Sequence, residues 1–345
     1  MSQICMTNPE RVEALQSLGY TARGAAFLVL AALHGGYFLR RQAVQYTAKT
    51  EGQSASSMLD RLLAGGHAQV SVYAHNVHVY HLCSRPFYAA MGQSDNRNRR
   101  ERQPLTIKSK LMALDFVLAH PDYHYLATEA EKFDYFTNTF SVQPSAMPTK
   151  LYRANCRSGG DVTARYFVDK YPIFAAELES ASPVVSFCFV NEGQTTLSHF
   201  ETFLSQYSDL LAALPRASVV YIAATRAPFQ RAEQAFNRGL VKRFGTTSLV
   251  PNLDRIIDYF EARKRYESND FGAFDRGRLI QLRDDRAAMS GQRYESLFRL
   301  WTAGGVKAVA AAMSVPTPAA ARAMPTFSTF ALEYTYDFFG NLTAY

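Results

Sequence analysis

The chain has 345 residues, 48% of them hydrophobic, and a formal net charge of +7, which provides apolar material for two cores and excludes disorder on a large scale. No apolar run approaches the roughly 20 residues of a membrane span, the longest running from Gly24 to Leu33, and the N-terminus shows no charged leader ahead of an apolar core, so a soluble cytoplasmic protein is expected. Residues 1–110 hold 13 Lys and Arg against 6 Asp and Glu, and residues 111–345 hold 24 of each, so an anionic partner, nucleic acid first, is expected at the N-terminal third.

Thr21 is a suitable N-cap for a helix over 22–33, where Ala26, Phe27, Leu30, Ala31 and Leu33 recur at helical spacing before Gly35-Gly36. A second short helix fits 39–47, with Phe38, Ala43, Val44 and Tyr46 inward and Arg40, Arg41, Gln42 and Gln45 outward. A third fits 53–64, buried through Ala55, Met58, Leu59, Leu62 and Leu63 and ended by Gly65-Gly66. Two alternating runs, 68–73 and 77–82, join at Ala74-His75-Asn76 as a hairpin. Three helices followed by a hairpin predict a winged helix-turn-helix over 8–95. Its third helix would present Gln53, Ser54, Ser57, Asp60 and Arg61 to a major groove, and His75 and Asn76 would meet the backbone or minor groove.

Four of the eight histidines, His67, His75, His78 and His81, fall in this stretch. A strand puts His78 and His81 on opposite faces and no Cys or carboxylate completes a ligand set, so exposed hairpin positions rather than a metal site are expected. The basic arm and linker helix, 96–125, carries Arg97, Arg99, Arg100, Arg102, Lys108 and Lys110, expected with Arg40 and Arg41 along a phosphate backbone. A solvated linker is the competing reading. Within it, 107–120 reads as a helix with the stripe Ile107, Leu111, Leu114, Val117 and Leu118, stopped at Pro121.

The body opens with a helix over 128–136, where Thr128 and Glu131 have capping-box spacing. Strands are predicted at 163–168, 184–190 (continuously apolar, hence central) and 217–224, with helices at 197–214 and 228–244. That order predicts an α/β sandwich over 126–245. Residues 246–345 read as a helical extension, with helices at 252–266 and 276–301, a loose Ala- and Pro-rich connector at 306–325, and a strand at 327–339. In that strand Phe330, Leu332, Tyr334, Tyr336 and Phe338 share a side, to pair with the sheet edge or with another chain. The four cysteines, Cys5, Cys83, Cys156 and Cys188, show no C-x-x-C spacing and are expected to be free thiols. Neither a phosphate loop nor a G-x-S-x-G elbow is present.

The segments LGYTARGAAFLVLAALHGGYFLRRQ, LLAGGHAQ and VYHLC, followed by VVSFCFVNEGQTTLSHFETFLSQYSDLLAALP and ASVVYIAATR, resemble the replication-relaxation family of plasmids and integrative elements over roughly residues 10–240. The resemblance implies a winged helix joined to a restriction-endonuclease-like α/β domain. It also implies a divalent metal, magnesium or manganese, held by an Asp after one strand and a Glu-x-Lys on the next. Asp169 and Glu192 stand at those places, and Gln194 stands where the Lys would be. This departure favours a body without catalysis and needing no cofactor. The fold class expected is therefore α/β (α+β), and the function expected is sequence-specific or backbone-directed binding of duplex DNA in a mobile element or its bacterial host. A metal-dependent nuclease centred on Asp169 and Glu192, and a protein–protein interaction module, are the alternatives. A homodimer, or a protein partner at the C-terminal strand, would be a further partner.

Overall fold

The computed structural model describes residues 6–47, 55–153, 162–168, 171–176, 183–194, 196–243, 253–289, 292–314 and 324–339. It is a mixed α/β chain in two compact units, one of residues 1–240 with 322–345 and the other of residues 241–321. Among the described residues no helix is long and apolar enough to cross a membrane.

The first unit opens with α1 (Asn8–Ser17), started by a capping box between Thr7 and Glu10. Helix α2 (Ala22–His34) follows, its N-cap Thr21 accepting the Gly24 amide as the sequence predicts. Then come β1 (Tyr37–Leu39), α3 (Arg40–Thr47), α4 (Ala55–Ala64), β2 (Ala68–Tyr73) and β3 (Val77–Leu82). The two long strands fall on the predicted residues. They turn through His75 and Asn76 at φ 59° and 55°, a left-handed conformation that Asn and His tolerate better than most residues. The three strands form an antiparallel sheet in the order β1-β3-β2. Phe27, Leu28, Phe38, Met58, Leu62 and Leu82 pack between it and the helices.

Four side chains in this region depart from the predicted pattern. Gln42, expected outside, is fully buried: its amide oxygen accepts the Leu39 N–H, and its NH2 donates to the Leu111 carbonyl and the Asp115 carboxylate. Val44 and Leu63, both expected inside, are 43% and 39% exposed. His81, expected outside, is buried and stacked on Tyr37 at 4.1 Å, because β1 pairs with β3 and covers it. A strand of three residues is too short to leave a periodic signal.

After α5 (Arg85–Ala90), α6 (Pro104–Ala119) begins a turn earlier than predicted and is buried without a break from Leu111 to Val117. The cause is that two cores use it. Leu114 packs into the helical core just described, whereas Ile107, Leu111, Met112 and Phe116 pack against a sheet.

That sheet has the order β10-β9-β8-β7-β4, built from β4 (His124–Tyr125), β7 (Ile173–Ala176), β8 (Val184–Asn191), β9 (Ala217–Ala223) and β10 (Thr326–Ala331). Strands β8, β9 and β10 run parallel, while β7 and β4 are added antiparallel. Alternation along β8 serves two faces. Cys188 and Val190 join Val220, Ile222 and Phe174 beneath α6, and Phe187 and Phe189 pack on Tyr207 and Phe200 of α8 (Leu197–Ala213). Burial on both faces explains why β8 reads as one apolar run. Helix α7 (Glu129–Phe140) starts at the predicted Thr128–Glu131 capping box. The hairpin of β5 (Thr149–Arg153) and β6 (Val162–Tyr166), not predicted as a pair, stands apart as a two-stranded sheet, and α9 (Phe229–Arg243) follows β9.

The C-terminal segment pairs with the sheet edge, β10 lying parallel to β9. Its strand ends at Ala331, shorter than predicted, and Tyr336 and Phe339 then turn into the core beneath α6. In the second unit α10 (Leu253–Glu267), α11 (Arg276–Ala288) and α12 (Gln292–Ser314) enclose Ile256, Phe260, Leu282 and Val309. The single helix predicted over 276–301 is thus two, and helix replaces connector as far as Ser314. Gly305, at φ 66°, breaks the helical geometry within α12. The rest of the predicted connector up to residue 323 lies outside the described residues, as do Cys5 and Cys156; Cys83 and Cys188 are free thiols.

Beneath α6 the Asp115 carboxylate receives both Arg41 guanidinium nitrogens, at 2.7 and 2.6 Å, the Gln42 amide at 2.7 Å and the Tyr336 hydroxyl. Burial, with the Asp115 charge beside it, holds the Tyr336 phenol well above its ordinary pKa. Substituting Asp115→Ala leaves the Arg41 charge and two further donors without their acceptor, and should lower the unfolding free energy by about 3 kcal/mol in urea titration. A loss below roughly 1 kcal/mol, the size of an exposed pair, would show that the cluster is not a structural centre.

Candidate functional site

Two regions of the first unit carry the residues singled out from sequence. The first is the outer face of α4 with the hairpin tip. Ser57 is half-buried there, Asp60 and Arg61 are exposed, and the Arg61 guanidinium rests against Gly19. Arg40, exposed, donates to Ser56 at 2.9 Å, and His75 and Asn76 are exposed at the tip. Gln53 and Ser54 lie outside the described residues.

The second region is a cleft of about 350 Å³ beside the first turns of α6. One stripe of that helix, Leu105, Thr106, Ser109, Lys110 and Ala113, forms a wall, its spacings of three and four residues placing these side chains on one face. Arg97, Arg102, His34, Tyr152, Val168 and Tyr171 contribute the rest, and among the described residues Glu192 is the one carboxylate in the lining. The sequence pattern gave weight to the apolar stripe of this helix and passed over its polar one. The Thr106–Ser109–Lys110 spacing is the signal that could have found the wall. Tyr152, Tyr171 and His34 reach it only through tertiary packing.

The basic residues expected to line up on DNA divide by use. Arg41 is committed to Asp115, and Lys110 donates to the Gly35 carbonyl and the Asn98 side chain, each at 3.0 Å. Arg102 donates to the Arg97 carbonyl at 3.1 Å, and Arg97 lies over the Tyr152 ring at 5.3 Å. Arg99 is half-buried and Arg100 exposed.

At the C-terminal end of β8, Asn191 donates to the Tyr221 hydroxyl at 2.6 Å and accepts the Gly193 amide at 2.8 Å. Gly193 sits at φ 92°, which turns the chain so that Glu192 is buried and Gln194 exposed. Lys108 reaches this turn from α6. Burial pushes its amine below the ordinary lysine value, against the opposing pull of Glu192 and Asp337. A divalent metal requires several converging oxygen ligands. Among the described residues no group of three His, Cys, Asp or Glu converges, and Asp169 lies outside them. The described residues therefore do not by themselves fit a magnesium or manganese site, the hairpin histidines included.

No protein-family model, curated protein or solved structure matches the chain. Its chemistry rests on its own residues.

His34, buried in the cleft wall, has its pKa lowered to about 4 by burial and then by the Lys132 charge, with Glu131 opposing. Its neutral form is favoured by folding, so its contribution is complete above the ordinary value of 6.5 and is lost as pH falls from 6.5 toward about 4. Unfolding titrations across that range should show a loss of about 3 kcal/mol that His34→Phe removes. An unchanged pH slope in the variant would place the acid sensitivity elsewhere.

Proposed function

We propose that the chain is a duplex-DNA-binding protein of a mobile element or its bacterial host, docking through a winged helix, with the α/β body as a non-catalytic scaffold. The observation that carries this reading is the order α2, β1, α3, α4, β2, β3 together with the sheet order β1-β3-β2. A winged helix requires that its third helix and hairpin be left open on one side, and α4 and the tip at His75 and Asn76 present polar side chains there. The resemblance of the sequence to the replication-relaxation family, which implies a winged helix, supports the same reading.

The charge distribution supports phosphate contact more than base reading. Arg40 and Arg61 are the exposed cations of α3 and α4, and Arg100 adds one from the arm. Ser57, Arg61, His75 and Asn76 are the side chains placed for groove contact.

Fluorescence anisotropy with labelled duplexes tests the reading. Affinity should fall linearly in log–log form with salt, and Arg100→Ala should reduce that slope by about 1 while weakening all sequences alike. Arg61→Ala should compress the difference between preferred and random duplexes by about 1–3 kcal/mol. Affinity that is absent or independent of salt would remove the reading.

A further inference from the structure

The cleft beside α6 gathers cations that the winged-helix face does not use. Lys110 is fixed by its two hydrogen bonds, so its charge cannot swing into solvent. Arg102 is held through one terminal nitrogen on the Arg97 carbonyl, while its Nε is buried with no hydrogen-bond partner. Such an orphan donor costs about 1–3 kcal/mol, so the cleft offers the terminal nitrogens of Arg102 rather than its Nε. Arg97 lies over the Tyr152 ring, 5.3 Å from its centroid, and among the described residues its side chain makes no hydrogen bond or ion pair.

The backbone adds to this charge. Helix α6, 16 residues long, begins at Pro104 with no side-chain bond from its N-cap Gln103, and Leu105 and Thr106 of its first turn line the cleft. The positive end of the helix and the cations thus converge on one place, and the Thr106 and Ser109 hydroxyls supply neutral donors. A volume of about 350 Å³ falls within the range of small-molecule sites. The Arg97–Tyr152 pair gives a planar surface of the kind on which bases stack.

We infer that this cleft binds a nucleoside 5′-phosphate, either free or as the terminal phosphate of a nucleic-acid strand. The phosphate lies against Arg97, Arg102 and Lys110, and the base lies against the Arg97–Tyr152 surface. Glu192 accepts from the sugar or the base rather than facing the phosphate. The duplex face proposed above, at α4, the hairpin tip, Arg40 and Arg100, includes none of these residues, so a phosphate preference of the cleft and a salt-dependent duplex affinity can be lost separately.

Calorimetric titration of the full chain with dAMP, deoxyadenosine, inorganic phosphate and a short oligo(dA) with or without a 5′-phosphate tests it. At least one phosphorylated nucleotide probe should bind about tenfold or more tightly than its unphosphorylated counterpart, a difference of about 1.4 kcal/mol. Binding of dAMP identifies a free nucleotide as the source, and binding of the phosphorylated oligonucleotide alone identifies a strand end. Arg97→Ala should weaken the phosphorylated probe by a similar factor while thermal melting stays unchanged. Arg97→Lys, which keeps the charge and loses the plane, should keep the phosphate preference and lose the advantage of dAMP over inorganic phosphate. No binding of either phosphorylated probe, equal binding without the phosphate, or indifference to both substitutions would overturn the inference.

Discussion

The carboxylate of Asp115 is the point at which three parts of the first unit meet. Arg41 and Gln42 come from α3, Asp115 from the centre of α6, and Tyr336 from the segment after β10. A buried ion pair adds little net stability, because desolvation offsets its Coulomb energy, but an unsatisfied partner is expensive. The cluster therefore selects one arrangement more than it deepens it: any packing of α3 against α6 that leaves the carboxylate short of donors is penalised. A second tie has the same logic. Arg11 of α1, almost wholly buried, reaches Glu131 at 2.7 Å, in the capping box of α7. Burial acts to raise the Glu131 pKa, yet the Arg11 hydrogen bond and charge, with the Thr128 and Ala127 amides, hold it below the ordinary value.

These ties change the meaning of the charge imbalance. The excess of the first 110 residues suggests a uniformly basic surface, but Arg11, Arg41 and Lys110 are held in hydrogen bonds within the fold. What remains divides between a sparsely charged face at α4 and a concentrated cleft at α6. Long-range attraction depends on the total, whereas specific contact depends on where the free donors point. On the proposed readings the two regions therefore take different anions, an extended backbone at the first and a compact phosphate at the second.

Local signals in the sequence carried far. Helix α2 with its Thr21 cap, the hairpin strands, the capping box at Thr128 and the apolar run of β8 all stand where spacing and caps place them. What the sequence did not reveal is non-local. Gln42 looks like an outward polar residue until Leu39, Leu111 and Asp115 surround it, and His81 looks exposed until β1 covers it. In α12, alanine-rich sequence with Gly304-Gly305 reads as connector, but Val309 is wholly buried in the core around Phe260, so burial outweighs the glycine cost.

The cleft was illegible for a related reason. A helix with one apolar stripe has a solvated polar face; α6 has two cores to serve, and its Leu111–Val117 stretch is enclosed. Its remaining polar stripe, with Thr106 exposed and Ser109 and Lys110 half-buried, is then partly enclosed by Tyr152 of β5, Glu192 beyond β8 and the arm. Enclosure lowers the local dielectric, so each cation and each backbone dipole there acts more strongly on an anion than the same group would at the surface. The same partial enclosure makes a cation costly when no anion is present, as the partnerless Nε of Arg102 indicates. A fold that keeps such groups against that cost, while tying Arg41 to Asp115, gathers Arg97, Arg102 and Lys110 around one cleft and leaves Arg40 and Arg61 as the exposed cations of α3 and α4.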